Sequence, residues 1–324
     1  MLHSSTPKNR TVVRSKNVVR LTKAALQAAY VLSDDLGASF AERLFTSPRR
    51  HPRPDRERAV LATGRPSTVT VRLRAPRWHG TTIDLAAWRW GHGPAVLLVH
   101  GWEGRGSQLG AFVAPLVAAG LSVVTFDAPG HGDSPDHRLY LTDVADSIEA
   151  VAAATGPLHG IIAHSFGAAA VLLAHSRNNV VAPRNVMISP NVLIDDAVSR
   201  FARMVGLDDA DRATLEARMV AHTGIPAESL RLDNLVDADV RGDRGDSLLV
   251  IHDIEDREVM MDHGHALAAA WPNARILATT GLGHRRILRD DAVIATTVEL
   301  LRDGVQPPVS DLVREVDRQL ESSR

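Results

Sequence analysis

The sequence predicts an α/β fold: an eight-stranded, mostly parallel sheet with helices on both faces and a small helical cap. Three observations carry that prediction. From Ala95 onward, short continuous apolar runs alternate with helical stretches, as expected of strands buried on both faces. Upstream, 68–74 and 82–90 are β-rich segments separated by a turn at His79-Gly80, which reads as an antiparallel hairpin. Residues 158–176 read as strand, sharp turn and helix, with Ala-His-Ser-Phe-Gly at the turn. Ala163 and Gly167 are small where strand and helix must nearly touch.

Taken in order, residues 1–17 are polar and basic and lack the apolar region of a signal peptide. Across 18–45, Ala25, Ala29, Leu32, Leu36, Phe40 and Leu44 recur as a helical stripe. With basic flanks, this helix is a candidate for peripheral membrane contact, against the plainer alternative of packing on its own domain. The proline- and arginine-rich stretch 46–67 reads as a linker whose charges face solvent. Strands are expected at 95–100, 121–126, 158–163, 184–189, 247–252 and 274–280. Between the fourth and fifth of these, helical sequence interrupts the alternation beyond the carboxyl ends of the strands, where open α/β sheets bind ligands. A cap over a pocket is therefore expected there, with Phe201, Met204 and Met219 as substrate-binding candidates. Helices follow at 290–302 and around Leu312, Val316 and Leu320. The expected organisation is an N-terminal segment over 1–60, a core over 61–189 and 247–305, a cap over 190–246 and a C-terminal helix over 306–324.

Composition narrows the chemistry. Hydrophobic residues make up 44% of the 324 positions, enough for a sizeable core, and the net charge of −1 disfavours broad nucleic-acid binding. Cysteine is absent, which removes disulfides and thiol catalysis. No apolar run is long enough to span a membrane, and a cytoplasmic location is expected. Lysine is confined to Lys8, Lys16 and Lys23, and the rest of the 37 Lys and Arg residues are arginine. Asp262-His263-Gly-His265 puts two histidines on different helix faces, so no metal is implied. The dinucleotide and phosphate-loop fingerprints are missing, and no cofactor is implied.

A serine hydroxyl becomes a nucleophile when a base takes its proton and an acid holds that base in the right tautomer. Ser165 stands at the turn, over the positive end of the following helix. His284 follows the last strand just after Gly281 and Gly283, which allow a tight excursion, and Asp256 lies in the loop after the strand 247–252, with Asp253 in reserve. His164 is expected to point away from the site because neighbouring strand side chains diverge. Backbone donors for an oxyanion are expected at Phe166 and at Trp102, beyond the strand 95–100.

Together, His100-Gly101-Trp102, Asp127-Ala-Pro-Gly-His-Gly-Asp-Ser134, Ala163-x-Ser165-x-Gly167, Asp256 and Gly283-His284 resemble the motifs of the α/β-hydrolase superfamily, over roughly residues 68–303. The resemblance implies that 127–134 is a structural turn and that Ser165, Asp256 and His284 form the triad in the superfamily's chain order. A serine at that turn disfavours the dehalogenase and epoxide-hydrolase branches, which generally use aspartate. The expected activity is hydrolysis of a carboxylic ester or thioester with a small to medium acyl chain, the partner being a small-molecule ester. Acyl transfer, cofactor-free haloperoxidation, peptide cleavage and a non-catalytic ligand-binding role use the same scaffold and stay open. Arg105, Arg285 and Arg286 flank the catalytic motifs. We expect a neutral ester, with Arg285 and Arg286 paired at the surface to Asp290 or Asp291, against the alternative of an anionic substrate.

Overall fold

In a computed structural model, which describes residues 8–237 and 245–303, eight strands form one sheet in the order β1-β2-β4-β3-β5-β6-β7-β8. They are β1 (Arg65–Arg72), β2 (Thr82–Trp90), β3 (Ala95–Val99), β4 (Ser122–Phe126), β5 (Leu158–His164), β6 (Arg184–Ile188), β7 (Ser247–Asp253) and β8 (Ala274–Thr279). β2 runs antiparallel to both β1 and β4, and every other pairing is parallel. The predicted sheet is thus present strand for strand. The C-terminal helix predicted beyond residue 306 lies outside the described residues.

Twelve helices are described: α1 (Lys8–Leu32), α2 (Asp34–Thr46), α3 (Asp55–Ala62), α4 (Val113–Ala118), α5 (Leu141–Thr155), α6 (Phe166–Ser176), α7 (Ile194–Val205), α8 (Asp209–Thr223), α9 (Leu232–Leu235), α10 (Met261–Ala270), α11 (Gly283–Arg286) and α12 (Asp291–Asp303). Because side chains alternate across a strand, each central strand feeds two cores. Leu97, Val99, Ile161, Ala163 and Val250 meet α5 and α6 on one face. Val96, Leu98, Ile162, Val186 and Ile251 meet Leu116 of α4 and Val293 and Leu300 of α12 on the other. The Ala-rich sequence of α6 suits its place, with everything from Gly167 to His175 buried.

A third, smaller core lies apart from the sheet. Leu26 of α1 and Ala41 of α2 pack with Val198, Phe201, Val205 and Leu215 of α7 and α8. Behind it, the Glu42 carboxylate is fully buried, accepting from Tyr140 Oη at 2.8 Å and Arg218 Nε at 3.1 Å and pairing with His222. The continuous stripe expected across 18–45 is corrected here. The helix breaks at Ser33, in extended backbone with φ −172°, so the periodicity of α1 does not carry into α2. As a result Leu32 and Leu36 are exposed, while Leu26, Ala38 and Ala41 are buried. No described helix is long and apolar enough to cross a membrane.

Candidate active site

Ser165 has φ 54° and ψ −124°, a region that costs a non-glycine residue roughly 1–3 kcal/mol. The surrounding chain imposes it. Ser165 N donates to Ile188 O at 3.0 Å, while Ala168 N and Asn191 N donate to the Ser165 carbonyl at 3.0 and 3.1 Å. A Cβ at Gly167 would stand 3.0 Å from Val99 O, and one at Gly101 would stand 2.9 Å from the Ser165 Cβ, so neither position has room for a side chain. The turn presents Ser165 at the N-terminus of the 11-residue α6, whose positive end favours developing negative charge.

His284 is the second residue of α11 beyond β8, reached through Gly281 and Gly283, both at positive φ. Its Nδ1 and Asp256 Oδ2 are 2.7 Å apart, with both side chains buried. The second Asp256 oxygen accepts from Glu258 N at 2.8 Å and Val259 N at 3.0 Å. Burial alone would raise the Asp256 carboxyl; the His284 hydrogen bond and charge and the two amides outweigh it and hold its pKa at about 2. A folded pKa below the unfolded value means stability that is present above pH ~4 and lost as the pH falls through ~2. Urea unfolding across that window is expected to show the wild type losing about 2 kcal/mol more than Asp256→Asn.

Asp253, the reserve acid, serves a different contact. Its Oδ2 accepts from Thr279 Oγ1 at 2.8 Å and Leu282 N at 2.9 Å, and Oδ1 accepts from Glu255 N at 3.0 Å. It ties the loop after β7 to the loop that carries His284. His252, also buried, sits 3.6 Å from Asp256 Oδ2 and donates to Val259 O at 3.1 Å.

His164 does not point away from the site as expected. The left-handed backbone at Ser165 breaks the strand alternation, and His164 shares a cavity with Ser165 and His284. Its Nε2 donates to the His284 carbonyl at 3.0 Å, and the two rings lie 4.6 Å apart. Burial, and then the His284 charge, lower its pKa to about 3, leaving it neutral.

Trp102 follows β3 and meets the Phe166 ring edge-on at 5.8 Å. The next residue is anchored by the 127–134 turn, where His131 Nε2 accepts from Glu103 N at 3.0 Å. Within that turn, Asp127 Oδ1 accepts from Gly106 N at 2.7 Å and Oδ2 from Asp133 N at 2.8 Å.

The cavity holding Ser165 and His284 has a volume of about 570 Å³. Among the described residues its apolar lining is limited to Trp102, Val259 and Pro54. Phe201, Met204 and Met219 do not line it, which corrects their placement as an acyl pocket. Phe201 stacks on Phe45 at 5.0 Å, Met219 packs against the third core, and Met204 is 57% exposed. Their apolar side meets α1 and α2, and the segment between β6 and β7 contributes Asn191 to the cavity.

The stretch 46–67 is likewise not a solvated linker. It contains α3, and Arg49, His51, Arg56 and Glu57 form a cavity wall. Arg50 donates to the carbonyls of Gly130 and Gly132 at 3.2 Å each, and Arg53 pairs with Asp127 at 3.1 Å and Asp133 at 2.7 Å. Sequence reasoning missed these wall residues because a proline- and arginine-rich run carries no periodicity. Arg285 pairs with Glu258 at 3.1 Å, not with Asp290 or Asp291; Arg286 donates to the Leu282 carbonyl at 3.0 Å; Asp290 instead accepts from Ala292 N and Val293 N. His263 accepts from the Val192 and Leu193 amides at 3.2 and 3.3 Å.

Comparison with known proteins gives one family. The model described as "Alpha/beta hydrolase family" matches residues 96–296. No curated protein sequence matches the chain. Among solved structures, the chain is similar to a thermophilic esterase from Thermogutta terrifontis (malate bound), with 16% identity, TM-score 0.52, and coverage of 73% of this chain and 98% of that one. It is similar to a bromoperoxidase from Bacillus anthracis, with 16% identity, TM-score 0.52 and coverage of 72% and 99%. For a monoacylglycerol lipase from Paleococcus ferrophilus the values are 22%, 0.51, and 68% and 99%. At these identities the likeness is one of fold.

Proposed function

The chain belongs to the alpha/beta hydrolase family, and we propose that it is a serine hydrolase that cleaves a carboxylic ester or thioester through an acyl-enzyme. The observation that carries the reading is the 2.7 Å contact between His284 Nδ1 and Asp256 Oδ2 in the cavity that also holds Ser165. With its Nδ1 proton held by Asp256, His284 has Nε2 free to act as base. Ser165 Oγ attacks the substrate carbonyl carbon as its proton passes to His284 Nε2. The oxyanion is received by the backbone N–H groups of Trp102 and Phe166, and collapse expels the alcohol or thiol, which takes the proton from His284. Water, deprotonated by the same nitrogen, then attacks the acyl carbonyl and frees Ser165.

Ser165 and His284 do not hydrogen-bond to each other here. Catalytic hydrogen bonds of this kind often tighten only in the substrate complex. A cavity of about 570 Å³ supports an acyl chain of small to medium length. A fluorophosphonate probe is expected to form a stoichiometric adduct that peptide mass spectrometry maps to Ser165. Absence of any adduct on folded protein would favour the non-catalytic, ligand-binding reading.

A further inference from the structure

The cavity wall has an unbalanced charge. Each acid that lines it is already engaged: Glu103 with Arg49 at 2.8 Å and His51 at 3.2 Å, Glu57 with Arg105 at 2.6 Å, and Glu258 with Arg285 at 3.1 Å. The Glu57–Arg105 pair is nearly buried, with side-chain exposures of 8% and 11%, and Glu57 also accepts from Ser107 Oγ at 2.8 Å. These acids therefore have partners of their own and do not neutralise further cations.

Two guanidinium groups are left over. Arg56, in the first turn of α3, and Arg289, five residues beyond His284, both line the cavity, and neither has an acid partner among the described residues. They are exposed, so they are hydrated and accessible, yet they share one concave space with Ser165. A concavity lined by one excess sign of charge focuses the field toward its interior and concentrates ligands of the opposite sign. Arginine in particular presents a planar fork that matches carboxylate and phosphate oxygens. The neutral ester expected from the sequence offers such groups nothing.

We propose that the substrate is an anionic ester, whose carboxylate or phosphate engages Arg56 and Arg289 while its scissile carbonyl meets Ser165. The proposal rests on the serine-hydrolase reading and adds the substrate class to it. It also assigns a role to the chain upstream of the sheet, since α3 brings Arg56 to the mouth of a site built by β5, β7 and β8.

The test compares kcat/KM across matched aryl esters. An adipate half-ester, set against the neutral hexanoate, places the charge on the acyl side; an acetoxybenzoate and an acetoxyphenyl phosphate, set against neutral phenyl acetate, place it on the alcohol side and separate carboxylate from phosphate. A charged ester is expected to exceed its neutral counterpart by about tenfold or more, the scale of one charge-assisted contact. Arg56→Ala and Arg289→Ala are each expected to lower kcat/KM for that ester about tenfold more than for the neutral one, chiefly through KM. In the wild type the preference should also shrink as salt rises. Equal use of neutral and charged esters, or a preference that survives both substitutions, overturns the proposal and leaves the hydrolase reading standing. No turnover of any ester together with no serine adduct overturns both.

Discussion

Ser165→Ala is expected to lower kcat for an aryl ester by about a million-fold while the protein stays folded, because knocking out a triad serine alone removes nearly all of the catalysis that the triad supplies. The methyl group occupies the space of the CH2OH group, and the Ser165 hydroxyl makes no hydrogen bond among the described residues that its loss would break. The φ of 54° persists because the backbone hydrogen bonds from Ser165 N and to Ser165 O are unaffected. Turnover of an aryl butyrate and far-ultraviolet circular dichroism make the comparison. A folded Ser165→Ala protein with near wild-type turnover would remove Ser165 from the mechanism.

Asp256→Asn should cost about ten-thousand-fold in kcat, since an amide in place of the carboxylate favours the wrong imidazole tautomer and leaves the imidazolium unstabilised. Asp253→Asn, at the end of β7 and three residues earlier, is the control. That side chain accepts from Thr279 Oγ1, Leu282 N and Glu255 N and has no contact with the His284 ring, so an isosteric amide disturbs loop anchoring and not proton transfer. Its loss is expected to stay near or below about a hundred-fold. If the two variants rank in the opposite order, Asp253 is the acid.

The sheet was legible in the sequence because each strand is a short β-branched or apolar run bounded by turn residues, and a two-sided core demands that pattern. The strand-end positions of Ser165, Asp256 and His284 were legible because each follows a predicted strand directly or within a short loop. The structure brings His284 to Asp256 and sets both beside the cavity of Ser165. The surroundings were not. Phe201 and Met219 announce an apolar helix side, but periodicity does not say which partner covers it, and here the partner comes from α1 and α2. His164 defeated the alternation rule because that rule assumes extended backbone through Ser165. Arg56 and Arg289 gave no signal, since the charge balance of a cavity depends on which acids are already spoken for.

The segment from Arg49 to Glu57 crosses the 127–134 turn and reaches the mouth of the cavity before the chain has formed its first strand. One part of the wall around Ser165 is therefore encoded upstream of the entire sheet, apart from Ser165, Asp256 and His284. Sequence change upstream of β1 can reshape that part of the wall without altering Ser165, Asp256 or His284.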